Sequence, residues 1–214
     1  NRTLSSLDAI FITHEHSDHI KGAGPTARRF GATIYSNSLT LKKCSQTLGN
    51  IPCVAIETGG YVTINDLKVK TFTKCHDAAD PMGLTISSNG RSLGLATDLG
   101  RSTRLLEDHL KGCNSLVIEF NHDREMLDNG SYPLPLQRRI RGSEGHLSNN
   151  QAGELLKLIS HEKLKRVVLA HLSQKNNIPE KAEREAVKAL TGRTSNGIEI
   201  FISKQDEPLP MMEV

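Results

Sequence analysis

Tryptophan is absent from this sequence, and aromatic residues make up 4% of its 214 residues. With 36% hydrophobic residues the composition is lean, yet the chain is long enough to bury the core of one globular domain. No apolar run approaches the roughly 20 residues that a membrane-spanning helix needs, and no secretory signal is read at the start. Cysteine is scarce: Cys44, Cys53, Cys75 and Cys113 stand far apart, without a C-x-x-C pair. That spacing excludes a zinc ribbon or a disulfide framework and fits a reducing, cytoplasmic compartment. Cys75 lies beside His76, and neighbours on a strand face opposite ways, so Cys75 is expected in the core. The net charge of +3 is too small to argue for a nucleic-acid partner by itself. Internal repeats and low-complexity tracts are missing too.

What the chain has instead is a dense group of metal-ligand side chains. The segment FITHEHSDH puts His14, His16, Asp18 and His19 within six residues, directly after the apolar run Ala9-Ile10-Phe11-Ile12-Thr13. That run reads as a short buried strand, so H-x-H-x-D-H begins where the strand opens into a loop. Residues two apart at a strand end project to the same side, which lets His14 and His16 grip one ion. Asp18 and His19 lie beyond the turn and reach a second. Imidazole and carboxylate suit Zn, Mn or Fe. An accidental polar loop is the alternative, but a ligand set this dense has no packing purpose.

The pattern along the rest of the chain predicts alternating elements. A short helix ends at Gly31 and a strand covers Ala32 to Ser36. A helix follows over Ser38 to Leu48. Val54 to Glu57, Tyr61 to Ile64 and Leu67 to Phe72 read as strands, the last two joined by Asn65-Asp66. Leu84 to Ser88 and Ser92 to Thr97 form a hairpin about Asn89-Gly90. Then come a helix over Ser102 to Leu110 and a strand over Ser115 to Glu119. Residues 121–147 read as a polar stretch. Ser148 caps a helix through about Ser160, Arg166 to Ala170 is a strand, Pro179 to Leu190 a helix begun by proline, and Ile198 to Ser203 a last strand. The expected class is α/β (α+β), two sheets with helices outside. Residues 1–204 are expected to form one domain, and the tail 205–214, with Pro208 and Pro210, to be loose.

His76, Asp98 and His171 share a position, each at or just past the C-terminal end of an apolar strand. Strand ends gather at one edge of a sheet, so seven candidate ligands are expected to converge. The simple partition gives one ion His14, His16 and His76, and the other Asp18, His19 and His171, with Asp98 bridging. Taken singly, His76 reads as a capping histidine, Asp98 as a turn residue and His171 as a polar strand end. The three gain force jointly.

In this order of pieces, HEHSDH, KCHDAADPMG, ATDLG and LAHLS, the chain resembles the metallo-β-lactamase superfamily from about Leu7 to Ser203. The resemblance implies an αβ/βα four-layer sandwich with a dinuclear site at one edge of the sheets. True β-lactamases usually carry Cys at the bridging position, so Asp98 points to the phosphodiesterase and thioester-hydrolase branches. The run EFNHDREMLDNGSYPLPLQRRIRGSEGHLSNNQA is similar to that of the bacterial YycJ/WalJ-type proteins, metal-dependent exonucleases of this fold. HLSNNQA also resembles a segment of the tRNA 3′-processing endonucleases whose histidine acts on the leaving group, which assigns that role to His146. Members of these families begin with two strands, a Gly/Ser-rich turn and a D-A-G segment before the metal motif. These pieces do not precede FITHEHSDH here, so the fold is expected without its first strands and with part of one sheet unpaired.

The expected chemistry is hydrolysis of a phosphodiester in nucleic acid, DNA favoured, by a hydroxide between two divalent ions, Zn first and Mn or Fe as alternatives. His146 protonates the departing oxygen or clamps the phosphate, and Asp18 orients the nucleophile. Glu119, Asn121, His122 and Asp123, at a strand end, are expected to hydrogen-bond around the ligands, with an ordinary polar loop as the alternative. Arg138, Arg139 and Arg141 suit phosphate, or form a solvated helix face. Tyr132 reads as a packed turn residue, with stacking on a base as the alternative. Lys163 to Arg166 is expected to close a helix and complement its dipole. His109 and His161 receive no function. Rival readings are a glyoxalase II-like thioester hydrolase, which shares all seven ligands, an RNA or cyclic-nucleotide phosphodiesterase, and a metal-stabilised scaffold.

Overall fold

The computed structural model describes residues 7–192 and 197–214. By its internal contacts the chain divides into two compact units. One comprises 1–73 and 77–84, the other 74–76 and 85–214.

The first unit starts with β1 (Ala9–Phe11), α1 (Ser17–Ile20), α2 (Ala23–Phe30), β2 (Thr33–Ser36), α3 (Ser38–Leu48) and β3 (Cys53–Ala55). The three strands pair in parallel in the order β1-β2-β3. Gly31 ends α2 in the left-handed conformation (φ 70°), which glycine adopts without a Cβ clash. Asn37 caps α3 by accepting the Thr40 amide at 2.9 Å. Ile12, Ile20, Ala27, Ile34 and Leu48 form this unit's core. The unit also holds the hairpin of β4 (Tyr61–Ile64) and β5 (Leu67–Thr73), turned at Asn65 with φ 54°.

The boundary between the units falls inside β6 (Met82–Ser88). The second unit continues with β7 (Arg91–Ala96), α4 (Arg104–Leu110), β8 (Ser115–Glu119), α5 (Arg124–Asn129), α6 (Leu134–Arg141), α7 (Asn149–Ile159), β9 (Arg166–Ala170), α8 (Pro179–Leu190) and β10 (Glu199–Ile202). Its strands run in the order β10-β9-β8-β7-β6. From β7 to β10 the pairing is parallel. The β6–β7 turn has Asn89 at φ 49° and Gly90 at φ 77°, the positive pair that a tight hairpin requires. Leu116, Ile118, Val167 and Leu169 are buried at the centre of this sheet, as strands with neighbours on both sides demand. Ser148 caps α7 in a reciprocal capping box with Gln151. Gly153 lets α7 approach α8, since a Cβ there would lie 3.3 Å from the Glu185 carbonyl.

Two expectations need correction, and one stretch without an expected element is filled. The stretch 121–147 contains two helices, α5 and α6. Both are short, and α6 buries only Gln137 and Ile140, so no apolar stripe announces it. Lys163 to Arg166 does not close a helix: α7 ends at Ile159 with Ser160 as its cap, Leu164 is buried, and Arg166 begins β9. Cys75 is half-buried rather than in the core, because β5 has already ended at Thr73. Residues 205–214 form no regular element, although Arg91 donates to the Val214 carbonyl at 2.9 Å.

Candidate functional site

In the first unit the H-x-H-x-D-H motif occupies the exit from β1. Thr13, His14 and Ile12 are buried, and Ser17–Ile20 turns at once into α1. His14 Nδ1 lies 3.0 Å from Thr13 Oγ1, and His14 Nε2 lies 3.1 Å from His16 Nδ1. The His14 and His19 rings stand 4.2 Å apart, and His19 Nε2 is 3.4 Å from Asp18 Oδ2. Three imidazoles and a carboxylate are thus gathered in one turn of chain. Next to them Glu15 accepts the Ala79 amide at 2.9 Å, and Asp77 Oδ1 is 3.8 Å from His16 Nε2.

In the second unit the cluster is built from strand ends. Asp98 follows β7 and His171 follows β9, and both have positive φ, 57° and 59°. A residue with a Cβ reaches that region at a cost of about 1–2 kcal/mol, so the surroundings must hold it there. Glu119, at the end of β8, does so for Asp98. Its carboxylate accepts the amides of Asp98 at 3.0 Å and Leu99 at 2.9 Å. Asn121 does so for His171, donating to its carbonyl at 2.9 Å.

Glu119 also accepts the Leu147 amide at 2.9 Å, His146 Nδ1 at 3.0 Å and His171 Nδ1 at 2.8 Å. Burial works against its ionisation, but the hydrogen bonds from His146 and His171 outweigh burial and bring its pKa down to about 2. An ionised carboxylate only accepts, so both rings carry their proton on Nδ1. His76 is fixed in a parallel way, Nδ1 lying 3.1 Å from the Gly145 carbonyl. With Nδ1 thus committed, Nε2 of His76 and Nε2 of His171 face the same oxygen, Asp98 Oδ1, at 3.8 and 3.5 Å. Burial lowers the pKa of His76, which favours the neutral imidazole that metals bind. Asp98, Glu119, His146 and His171 each offer a ligand-type atom within 4.8 Å of the others. Imidazoles oriented through Nδ1 by a carboxylate or a carbonyl, with Nε2 turned to a shared point, are the arrangement that metal centres use. The Asp98 carboxylate with Nε2 of His76 and of His171 fits a divalent ion.

His146 reaches this cluster on the loop after α6, and two glycines make that possible. A Cβ at Gly145 would collide with the Arg139 and Ile140 carbonyls, and one at Gly100 with the main chain at Ser143.

The structure separates the other expected residues. Asn121 touches His171. His122 and Asp123 are placed differently. Asp123 caps α5 by accepting the Met126 amide at 3.0 Å and pairs with Lys181 at 2.7 Å. His122 is buried, its Nδ1 has no hydrogen-bond partner among the described residues, and burial pushes its pKa down to about 4. Of the three arginines, Arg139 lines a cleft beside His146 and His171, Arg138 is exposed, and Arg141 pairs with Asp128.

Lys74 was missed by the sequence reading. It is buried, donates to the Thr97 carbonyl at 2.6 Å and stands 3.7 Å from Asp98 Oδ2. Thr97 Oγ1 donates to the same oxygen at 2.7 Å. Two positions before His76, Lys74 projects with it when the chain is extended, and that spacing was the available clue.

A beta-lactamase superfamily domain model matches residues 1–172. The chain is 37% identical over 190 residues to exodeoxyribonuclease YycJ of Bacillus anthracis, covering 87% of this chain and 72% of that relative. It is 34% identical over 223 residues to exodeoxyribonuclease WalJ of Streptococcus pneumoniae serotype 2 (strain D39 / NCTC 7466), covering 100% of this chain and 82% of that relative. The metallo-beta-lactamase fold protein YhfI from Bacillus subtilis aligns with a TM-score of 0.69 over 92% of this chain and 75% of that one, at 16% identity. At that identity the likeness shows the fold alone, and it is the fold class read from the sequence.

Proposed function

The chain belongs to the YycJ/WalJ family of the beta-lactamase superfamily and is a metal-dependent hydrolase, and on that premise we propose that it is an exonuclease that hydrolyses phosphodiester bonds in DNA. His14, His16, Asp18, His19, His76, Asp98 and His171 are proposed as the residues that would hold one dinuclear centre. Zn is the first choice, and Mn or Fe suit the same donors. When bound, two such ions supply a hydroxide near neutral pH and offset the charge that builds on the phosphate. The proposal rests on the motif order and on family membership. Within the second unit it draws further support from Asp98 Oδ1, which faces Nε2 of both His76 and His171.

The chain's own residues supply the remaining steps. Asp18 orients the nucleophile. Glu119 holds His146 through Nδ1, which leaves Nε2 as the atom that would protonate the departing sugar oxygen. His146 is suited to that role because its side chain is 18% exposed and lines the cleft, whereas Glu119 behind it is fully buried. Lys74 adds a buried positive charge on the Oδ2 side of Asp98.

No helix among the described residues is long and apolar enough to cross a membrane. Four cysteines in no disulfide support our reading of a place in the reducing cytoplasm. The test is metal analysis of the purified protein coupled to three substrates: duplex DNA, a glutathione thioester and bis-nitrophenyl phosphate. Turnover of DNA and of the aryl phosphodiester is expected, lost on chelation and restored by metal. Turnover of the thioester alone would reject this reading in favour of the glyoxalase II type. Two bound equivalents with no turnover would favour a scaffold.

A further inference from the structure

The second unit carries a cleft of about 350 Å³ that opens directly from His146 and His171. Its walls come from two segments. One is the turn before α6 with α6 itself, contributing Tyr132 and Arg139. The other is the loop after His171, contributing Lys175. Two features fix their spacing. The Tyr132 carbonyl accepts Gln137 Nε2 at 2.9 Å, and the Gln137 side chain is buried, so Tyr132 is anchored to the first turns of α6. Gly130 packs the same turn against the opposite segment, since a Cβ there would lie 2.5 Å from Asn176 Oδ1. The Tyr132 ring is half-buried, with Lys175 Nζ 5.5 Å from its centroid. The cleft therefore presents an aromatic face, two cations and the edge of a catalytic imidazole.

We propose that this cleft holds the single nucleotide on the leaving-group side of the scissile bond and recognises a terminal phosphate on it. The inference rests on the phosphodiesterase reading above and adds what the departing group must be. His146 protonates the departing oxygen, so the group attached to that oxygen lies on the cleft's side of His146. The volume is at the low end of small-ligand sites, roughly 300–1,000 Å³, room for one nucleotide rather than a run of them. The base finds the Tyr132 ring, where stacking tolerates any base. Arg139 and Lys175 supply charge-assisted hydrogen bonds for a phosphate, and a terminal phosphate carries more charge than an internal diester. Arg138 and Arg141 lie outside this cleft. One seat for one terminal nucleotide makes the product a mononucleotide.

The test uses the full chain, metal-loaded, and the double substitution Arg139→Gln with Lys175→Gln. Lys188→Gln, on the exposed side of α8, is the charge control. Strands ending in a phosphate or a hydroxyl, at either end, are compared by kcat/KM. The wild type is expected to prefer one phosphorylated end by at least about tenfold, with mononucleotides as the first products. The double variant should bring that ratio near one, chiefly through KM, while Lys188→Gln leaves it unchanged. Binding of deoxynucleoside 5′- and 3′-monophosphates by calorimetry gives a readout apart from turnover. One of the two should bind at least about tenfold tighter than the nucleoside in the wild type and not in the variant. A ratio near one in the wild type, a ratio kept in the double variant, or first products longer than one nucleotide would overturn the cleft assignment. A protein that turns over no DNA at all would instead overturn the phosphodiesterase reading.

Discussion

The two units each contribute a group of histidines, but they hold them in different ways. In the first, His14, His16, Asp18 and His19 follow one another along the chain, and their geometry comes from the irregular exit of a strand and the short helix that follows it. In the second, His76, Asp98, Glu119, His146 and His171 come from five separate stretches, and one buried carboxylate organises two of the imidazoles and the Asp98 turn. A contiguous motif needs little support beyond its own backbone. A dispersed one needs parallel strands that end together, residues forced to positive φ and a charged hub. The difference teaches where each cluster is fragile: the first at its proposed ligands, the second also at Glu119.

The sharpest way to break this comparison is at the ligands. Asp98→Ala is expected to lose one or both metal equivalents and on the order of 10²–10³ in activity, as for other groups that stabilise transition-state charge. Unchanged metal content by elemental analysis would remove its bridging role. His146→Ala comes next. It should retain the metals and lower kcat by about 10²–10⁴, and full activity would take it out of the mechanism.

Glu119→Gln tests the hub itself. Gln keeps the shape but loses the charge and one acceptor oxygen: with its oxygen toward the two imidazoles its NH2 meets the Leu99 and Leu147 amides, and turned over it meets the imidazoles instead. A loss of about 10–100-fold in activity or metal affinity is expected. No residue in the first unit should show the same effect without being a ligand, and equal losses from Glu15→Gln would blur the contrast.

The smallest effect concerns His122. Its folded pKa, about 4, lies below the ordinary value near 6.5. Between these values the unfolded chain binds the proton and the folded chain does not, so stability falls as pH drops from about 6.5 toward 4. The steepest slope is about 1.4 kcal/mol per pH unit. His122→Gln should flatten that dependence in denaturant melts, and an unaltered slope would place the titration elsewhere.

Much of this was legible because the physics was local. Ser115–Glu119 and Arg166–Ala170 read as strands from continuous apolar runs, and Pro179 and Ser148 announced their helices. The positions of Asp98 and His171 past β7 and β9 followed from where those runs stop. The rest depended on partners far away in sequence. Nothing local separates Glu119 from a polar strand end, because its role comes from amides and rings supplied by residues 98, 146 and 171. His122 and Asp123 looked similar to Asn121 on paper, yet α5 needed a cap and Lys181 a partner, and those demands took Asp123 away from the site. Among the arginines, which one lines the cleft was decided by the pitch of α6, a helix whose polar sequence gives no apolar stripe to orient it.

The most direct measurement is electron paramagnetic resonance of the full chain loaded with two equivalents of Mn(II). If the seven ligands form one dinuclear centre, the two ions lie roughly 3.5–4 Å apart and give a spin-coupled spectrum, which Asp98→Ala abolishes. Two uncoupled Mn(II) signals, or binding that stops at one equivalent, would contradict it.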